Sequence, residues 1–285
     1  MVMTSSLSDD GIEAMRAVMR EPGRTLLATD FDGVLSPIVD DPQTATALPA
    51  AITALGRAAQ CLGQVAVITG RPARQAVELG GLDHARGLDE LIVLGQYGVE
   101  RWDAATGEYQ VPPEPRAIAD VEAALPTVLA QAGHPQARIE HKGRALAVHT
   151  RTLDDADAAF EALRGPVTAL ADEHGLKVEP GKLVLEIRPS GTDKGDALKA
   201  LAADARARTV IYAGDDLGDI PAFEAVRELR AAGLNALSIY SLSSEESAVR
   251  SLSDLVVDGP EGFARWLARL ADSLDSRANA FAHGG

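Results

Sequence analysis

Four short runs in this chain are apolar at every position: Leu26-Leu27-Ala28, Val65-Ala66-Val67-Ile68, Leu91-Ile92-Val93-Leu94 and Val210-Ile211-Tyr212-Ala213. A half-buried strand alternates apolar and polar residues, because its side chains point to opposite faces in turn. A run without that alternation has to be covered on both faces, and sheets of that kind are parallel, with helices above and below. Helical patterns fall between the runs. Residues 49–61 (PAAITALGRAAQC) have helical periodicity and open on Pro49, where a missing N–H does no harm. Residues 72–79, 194–205, 219–230 and 261–274 read as further helices, and 235–240 and 254–258 as further short strands. The expected fold class is α/β, a parallel sheet covered on both faces.

The pattern changes near Trp102. Residues 104–107 and 111–115 (VPPEP) are turn-rich, and a helix follows to about residue 132. Alternating strands come next. In RIEHK (138–142), Arg138, Glu140 and Lys142 point one way, Ile139 and His141 the other. In ALAVHT (145–150), Leu146 and Val148 oppose Ala147 and His149. A helix covers 153–174, and in KLVLEIR (182–188) Leu183, Leu185 and Ile187 oppose Lys182, Glu186 and Arg188. Such strands belong to an antiparallel sheet with one polar face. The expected organisation is an N-terminal helical extension (1–21), a first core segment (22–102), an inserted α+β unit (103–189), a second core segment (190–275) and a loose tail (276–285).

The charge balance narrows the function classes. With 27 basic against 42 acidic residues, a net of −15, the chain is a poor candidate for nucleic acid or an anionic membrane surface. An anionic substrate would need local positive charge from Lys, Arg or a metal. The single cysteine, Cys61, allows no internal disulfide, suits a reducing compartment and reads as a small core residue. No apolar run approaches the ~18–20 residues of a membrane span. Residues 1–20 lack the basic and apolar segments of a signal peptide. A soluble, cytoplasmic protein acting as a monomer is expected.

Three strand ends carry polar residues: Asp30-Phe31-Asp32-Gly33, Thr69-Gly70-Arg71 and Gly214-Asp215-Asp216-Leu217-Gly218-Asp219. Ligands of an open parallel sheet bind at the carboxyl ends of its strands. If these strands are neighbours, their carboxylates, a hydroxyl and Gly-rich backbone converge, and Lys194, opening a helix, can reach the same point. Several carboxylates together repel unless a cation lies between them. An oxygen-only donor set with no His or Cys suits Mg²⁺. A metal plus Lys194 supplies the charge a phosphate needs. Asp30 can then attack phosphorus, Asp32 can serve as acid and base, and Thr69 with backbone N–H groups can hold phosphoryl oxygens. Gly70 and Arg71 beside Thr69 are expected to bind substrate.

Each piece alone has a plainer reading. A lone DxDG fits a surface turn, Thr69-Gly70-Arg71 a helix-entry turn and Lys194 a solvated helix lysine. A calcium loop starting at Asp30 fails, because Val34 replaces an oxygen ligand and Leu35 the required glycine. The chain has no GxxxxGK[ST], no GxGxxG after a strand and no GxSxG, so ATP-loop, dinucleotide and serine-hydrolase chemistry lack support. The ordered set is what points to phosphoryl transfer.

That set resembles the haloacid dehalogenase-like superfamily of phosphatases. The resemblance implies a Rossmann-like core with an inserted α+β cap domain. It also implies Asp30 as nucleophile, Asp32 as acid/base, Mg²⁺ held by Asp30, the Asp32 carbonyl and Asp215, and Asp219 orienting the metal shell. A narrower resemblance covers residues 24–275. The segments DFDGVLSPI, VITGRP, GQYGVERW, KGRALAVHTR, VLEIRPSGTDKG and YAGDDLGD are similar to those of the trehalose-6-phosphate phosphatase family. By that resemblance Glu140, Lys142 and Glu186 bind sugar hydroxyls, with Arg188 on the same face added to the substrate-binding set.

The expected partner is thus a small sugar phosphate, and the expected reaction is Mg²⁺-dependent hydrolysis of trehalose 6-phosphate by a stand-alone phosphatase. Val34, Tyr97 and Gly218 depart from the family pattern, which commonly has Thr, His and Thr there; none removes a catalytic group. Rival readings are a phosphatase for another sugar phosphate (sucrose phosphate, glucosyl- or mannosyl-glycerate phosphate), a phosphomutase and a non-catalytic sugar-phosphate sensor.

Overall fold

The computed structural model of the protein describes residues 7–39, 41–181, 183–189, 191, 193–243 and 249–282. The chain divides into two units, Val111–Gly191 and the remainder. In chain order the larger unit contains α1 (Asp9–Arg20), β1 (Thr25–Thr29), α2 (Pro49–Ala59), β2 (Gln64–Ile68), α3 (Ala73–Gly80), β3 (Ile92–Gly95), β4 (Glu100–Asp103) and β5 (Glu108–Gln110). The smaller unit follows with α4 (Arg116–Gln131), β6 (Arg138–His141), β7 (Leu146–His149), α5 (Ala156–Glu173), β8 (Leu176–Gly181) and β9 (Val184–Pro189). The chain then returns to the larger unit with α6 (Lys194–Asp204), β10 (Thr209–Gly214), α7 (Ile220–Ala231), β11 (Asn235–Ser241), β12 (Leu255–Val257) and α8 (Gly259–Ala282).

The larger sheet has the order β12-β11-β10-β1-β2-β3-β4-β5. Pairing is parallel from β12 to β3 and antiparallel for β3–β4 and β4–β5. The uninterrupted apolar runs are explained by two cores. Leu27, Val65, Val67, Val93, Ile211 and Ala213 pack on one face with α1, α2, α3 and α8. Their chain neighbours Leu26, Ala66, Ile68, Leu94, Val210 and Tyr212 pack on the other with α6 and α7. Thr29 of β1 is in register with Val67 of β2 and Ala213 of β10, so the three strands end side by side.

The smaller unit is a four-stranded antiparallel sheet, β6-β7-β9-β8. One face is apolar: Leu146, Val148, Leu185 and Ile187 pack with Ile118, Val121, Leu125 and Leu129 of α4 and Leu163, Val167 and Leu170 of α5. The opposite face carries the polar residues of β6 and β9.

Several sequence expectations are corrected. The larger unit continues to Gln110 rather than ending at 102, because β4 and β5 form a hairpin on the sheet edge that buries Trp102 against Tyr109, ring centroids 6.1 Å apart. Residues 276–282 are helical rather than loose: SRANAFA holds no helix breaker, and the Arg277 guanidinium donates to the Arg20 carbonyl at 3.0 Å. Leu183 lies in a turn with φ +58°, before the start of β9, and is not among the residues of the apolar core; Lys182 lies outside the described residues. Cys61 is half-buried and packs against the edge of the core, with its thiol 4.0 Å from Asp275. Among the described residues no helix is long and apolar enough to cross a membrane.

Candidate active site

Asp30 is the first residue beyond β1, and its N–H donates to the Ala213 carbonyl of β10 at 2.8 Å. The strand pairing therefore carries the nucleophile candidate to the point where β1 and β10 end. Its Oδ1 accepts the Phe31 N–H at 2.6 Å and its Oδ2 accepts from Lys194 Nζ at 2.6 Å. Lys194 is the first residue of α6, whose N-cap is Asp193. The ammonium also donates to Asp219 Oδ1 at 2.7 Å. Burial works to lower the Lys194 pKa, but Asp219 and Asp30 push it well above the ordinary value, so the residue stays charged.

Asp219 is fully buried and fully bonded. Oδ1 accepts from Lys194 and from the Tyr212 hydroxyl at 2.6 Å, while Oδ2 accepts the backbone N–H of Asp215 at 2.8 Å and of Asp216 at 3.2 Å. It fixes both Lys194 and the loop after β10. Asp216 caps the following helical turn by accepting the Gly218 N–H at 2.9 Å.

One carboxylate oxygen each from Asp30, Asp215, Asp216 and Asp219 lies within 4.8 Å of the others. Asp215 is 2% exposed, and among the described residues no donor reaches its carboxylate. Burial, then Asp216, Asp219 and Asp30, push its pKa well above the ordinary value. Asp30 is raised by burial and by the neighbouring carboxylates against the lowering effect of Lys194. A buried carboxylate without a donor, in an oxygen-only cluster, fits a hard divalent cation such as Mg²⁺. With all four acceptor positions of Asp219 taken, Asp30, Asp215 and Asp216 are the carboxylates of the cluster that could ligate such an ion directly. Gly33 makes the approach of Asp215 possible: its φ is +66°, and a Cβ there would lie 2.1 Å from the Asp215 Cγ.

Asp32 does not join this cluster through its side chain. Arg71 holds it from the end of β2, Nε donating to Oδ2 and Nη2 to Oδ1, each at 2.7 Å. The Arg71 guanidinium lies 5.7 Å from the centroid of the Phe31 ring. The Thr69 hydroxyl accepts the Arg71 N–H at 3.2 Å. The Thr69–Gly70–Arg71 carbonyls are taken by the loop after β3: Tyr97 N–H to Thr69 at 3.0 Å, the Gln96 amide to Gly70 at 3.1 Å and Gln96 N–H to Arg71 at 2.9 Å. Gln96 and Tyr97 adopt left-handed backbone to do this, with φ +48° and +61°. A Cβ on Gly70 would meet the Tyr97 hydroxyl at 2.9 Å.

The four candidates of the smaller unit lie on its polar sheet face. Lys142 Nζ donates to Glu186 Oε2 at 2.9 Å. Glu186 is 8% exposed, and its Oε1 is buried without a hydrogen-bond partner among the described residues. Arg188 is held by Glu179, its Nε donating at 2.9 Å. Glu140 accepts from His149 at 2.7 Å.

Tyr212 and Gln96 were not legible as site residues. Tyr212 lies inside an apolar run and Gln96 in a loop with no motif of its own. Asp216 belongs to the acidic segment, but its place among the possible ligands follows only from the turn that folds it back.

The family model described as trehalose-phosphatase matches residues 28–259. The trehalose-phosphate phosphatase of Mycobacterium marinum is 31% identical over 276 residues, spanning 93% of this chain and 67% of that protein. The trehalose-6-phosphate phosphatase of Escherichia coli is 34% identical over 204 residues, 70% of this chain and 73% of that one. Among solved structures, the C-terminal domain of Candida albicans trehalose-6-phosphate phosphatase superimposes with a TM-score of 0.72 at 18% identity, covering 95% and 99% of the two chains. A haloacid dehalogenase-like hydrolase from Bacteroides thetaiotaomicron shares the fold at a TM-score of 0.54 and 15% identity, covering 86% and 99%. The fold is that of a haloacid dehalogenase-like core with an inserted α+β cap domain.

Proposed function

The chain belongs to the trehalose-phosphatase family and is a phosphoric monoester hydrolase, and from that premise we propose that it hydrolyses trehalose 6-phosphate to trehalose and phosphate. The observation that carries the reading is Asp30 at the end of β1, bonded to a buried Lys194 and adjoining the donor-free carboxylate of Asp215. The reaction runs through an aspartyl phosphate. An Asp30 carboxylate oxygen bonds to phosphorus as the phosphorus–sugar oxygen bond breaks, and Asp32 gives its proton to the departing sugar oxygen. Asp32 then takes a proton from water as the water oxygen bonds to phosphorus and the bond to Asp30 breaks, releasing phosphate.

Lys194 holds Asp30 in place and offers positive charge to the phosphoryl oxygens, while the Thr69 hydroxyl and the Gly70 N–H donate hydrogen bonds to them. Arg71 exchanges Asp32 for a phosphoryl oxygen as substrate enters. Asp30, Asp215, Asp216 and the Asp32 carbonyl would hold Mg²⁺, with Asp219 fixing Lys194 and the loop after β10, and the ion would supply charge stabilisation at the phosphoryl group. Glu140, Lys142, Glu186 and Arg188 read the sugar. The orphan Oε1 of Glu186 supports this, since a buried acceptor without a donor is costly unless a ligand hydroxyl completes it. The enzyme works in the cytoplasm as a monomer.

The test is phosphate release from a panel of sugar phosphates with and without Mg²⁺. Metal-dependent release from trehalose 6-phosphate is expected. Release from a different sugar phosphate alone would overturn the substrate, and release from none would overturn the reaction.

A further inference from the structure

The two carboxylates that flank Ala147 on the polar sheet face are built alike. The register places Glu140 of β6 opposite Ala147 of β7, and Ala147 opposite Glu186 of β9. Side chains alternate along each strand, so Glu140, Ala147 and Glu186 share the face away from Val148, Leu185 and Ile187. Ala147 offers neither carboxylate a donor. Glu186 gives one oxygen to Lys142 and keeps the other, Oε1, without a partner. Glu140 likewise gives Oε2 to His149 Nε2 at 2.7 Å, and among the described residues Oε1 has no hydrogen bond. Two further cations act on Glu140 by charge, Lys142, which donates to Glu186, and Arg138, which is half exposed and 3.6 Å from the same Oε2. Alternation along β7 puts His149 on the same polar face as Ala147, opposite Leu146 and Val148.

We propose that His149 is a positioning residue for sugar recognition: its Nε2–H holds Glu140 in one rotamer, so that the free oxygen of Glu140 meets a substrate hydroxyl. The inference rests on the trehalose 6-phosphate reading above and adds to it a residue that does not itself touch substrate. A glutamate on an edge strand has three side-chain torsions to restrain, and an unrestrained carboxylate must be ordered by the substrate at the expense of affinity. The bond to His149 removes that cost before binding. A neutral or charged imidazole serves equally, since either form can present an N–H at Nε2 to a carboxylate.

The experiment measures kcat and KM for trehalose 6-phosphate and for p-nitrophenyl phosphate, which has no sugar to read, in the unaltered protein, H149F, H149Q, E140A and H149F/E140A. H149F is expected to raise KM for trehalose 6-phosphate about tenfold, the scale of one charge-assisted hydrogen bond. The ratio of kcat/KM for trehalose 6-phosphate to that for the aryl ester falls with it. H149Q, whose amide reaches the Nε2 position, recovers most of the loss. In the E140A background H149F adds nothing, because the two residues act through one group.

A ratio unchanged in H149F but lowered in E140A overturns the inference and leaves the proposed function standing. Additive losses in the double variant overturn it as well. Absence of trehalose 6-phosphate turnover in the unaltered protein overturns both. If circular dichroism shows H149F unfolded, H149Q against H149N makes the same comparison, since asparagine is too short to reach Glu140; equal losses in the two overturn the inference.

Discussion

Arg71 occupies both carboxylate oxygens of Asp32 through two parallel bonds of 2.7 Å. In the proposed reaction Asp32 must move a proton, so this clamp has to open once per turnover. The planar guanidinium can trade a carboxylate for a phosphoryl group with the same two-pronged geometry, and an ammonium cannot. Arg71→Lys is therefore expected to lower kcat/KM by about tenfold to a hundredfold. The loss should be similar for trehalose 6-phosphate and for p-nitrophenyl phosphate, because the phosphoryl group is common to both. Steady-state kinetics on the two substrates check this; full activity in the variant would remove Arg71 from the phosphate site.

Asp30 and Lys194 are partners, yet their substitutions should separate chemistry from stability. Asp30→Asn keeps the size of the side chain and removes the nucleophile, so turnover should fall on the order of 10⁴-fold or more while the protein stays folded. Lys194→Met leaves Asp30 and the fully buried Asp219 without their shared cation. Breaking a buried pair from one side costs about 3–5 kcal/mol. Urea unfolding beside phosphate-release assays reads both effects; an inactive Lys194→Met of undiminished stability would contradict the structural role.

Gly33 ties the loop after β1 to the carboxylate cluster. Any side chain there meets the Asp215 carboxylate, and the positive φ adds strain. Gly33→Ala should displace Asp215 and weaken Mg²⁺ binding about tenfold or more, a scale typical of disturbed metal sites. Chelation should abolish phosphate release in the unaltered protein, and added Mg²⁺ should restore it. Metal titration by calorimetry in both proteins makes the comparison, and identical affinities would place the cation away from Asp215.

What could be read from the residues divides along the range of the interactions. The buried strands were legible because a run such as Val65–Ile68 states its own environment. Asp30, Thr69 and Lys194 stood out because each follows a strand or opens a helix, a signal contained in a few neighbouring positions. The hairpin of β4 and β5 was missed because its strands span only Glu100–Asp103 and Glu108–Gln110 and are separated by turn residues. The bonding of Asp219 was missed for a different reason. Its partners Tyr212 and Lys194 come from two other elements, and only the packed fold shows that its oxygens are spent on them rather than free for a cation.

Asp254, at the entrance to β12, anchors the far side of the sheet and gives a pH test. Its carboxylate accepts from the Ser8 hydroxyl at 2.6 Å, the Ser238 hydroxyl at 2.8 Å, the Ser238 N–H at 2.9 Å and Arg230 at 2.7 Å. Burial alone would raise its pKa, but these donors and the Arg230 charge outweigh burial and hold it below the ordinary value. A carboxylate whose folded-state pKa is depressed contributes stability above its unfolded value of about 3.9 and loses it as pH falls through the folded value. Asp254→Asn should therefore cost about 2 kcal/mol at pH 7, and the gap to the unaltered protein should close below pH ~4. Urea unfolding of both proteins across that range tests it; a gap independent of pH would mean that charge plays no part.

Glu186 offers the sharpest separation of sugar recognition from chemistry. Its Oε1 is buried and lacks a donor, while Lys142 neutralises Oε2, so the carboxylate is poised to accept one more hydrogen bond. A site built to bond a hydroxyl loses most when that bond cannot form, and the loss should fall on substrates that carry the hydroxyl. Glu186→Ala should cut kcat/KM for trehalose 6-phosphate about a hundredfold or more and p-nitrophenyl phosphate turnover far less. Glu186→Gln, which keeps the shape but puts an amide donor beside Lys142, should fall between the two. Both variants are measured on both substrates. Equal losses on the sugar and aryl esters would mean that Glu186 supports the fold of its domain and that the sugar is read elsewhere.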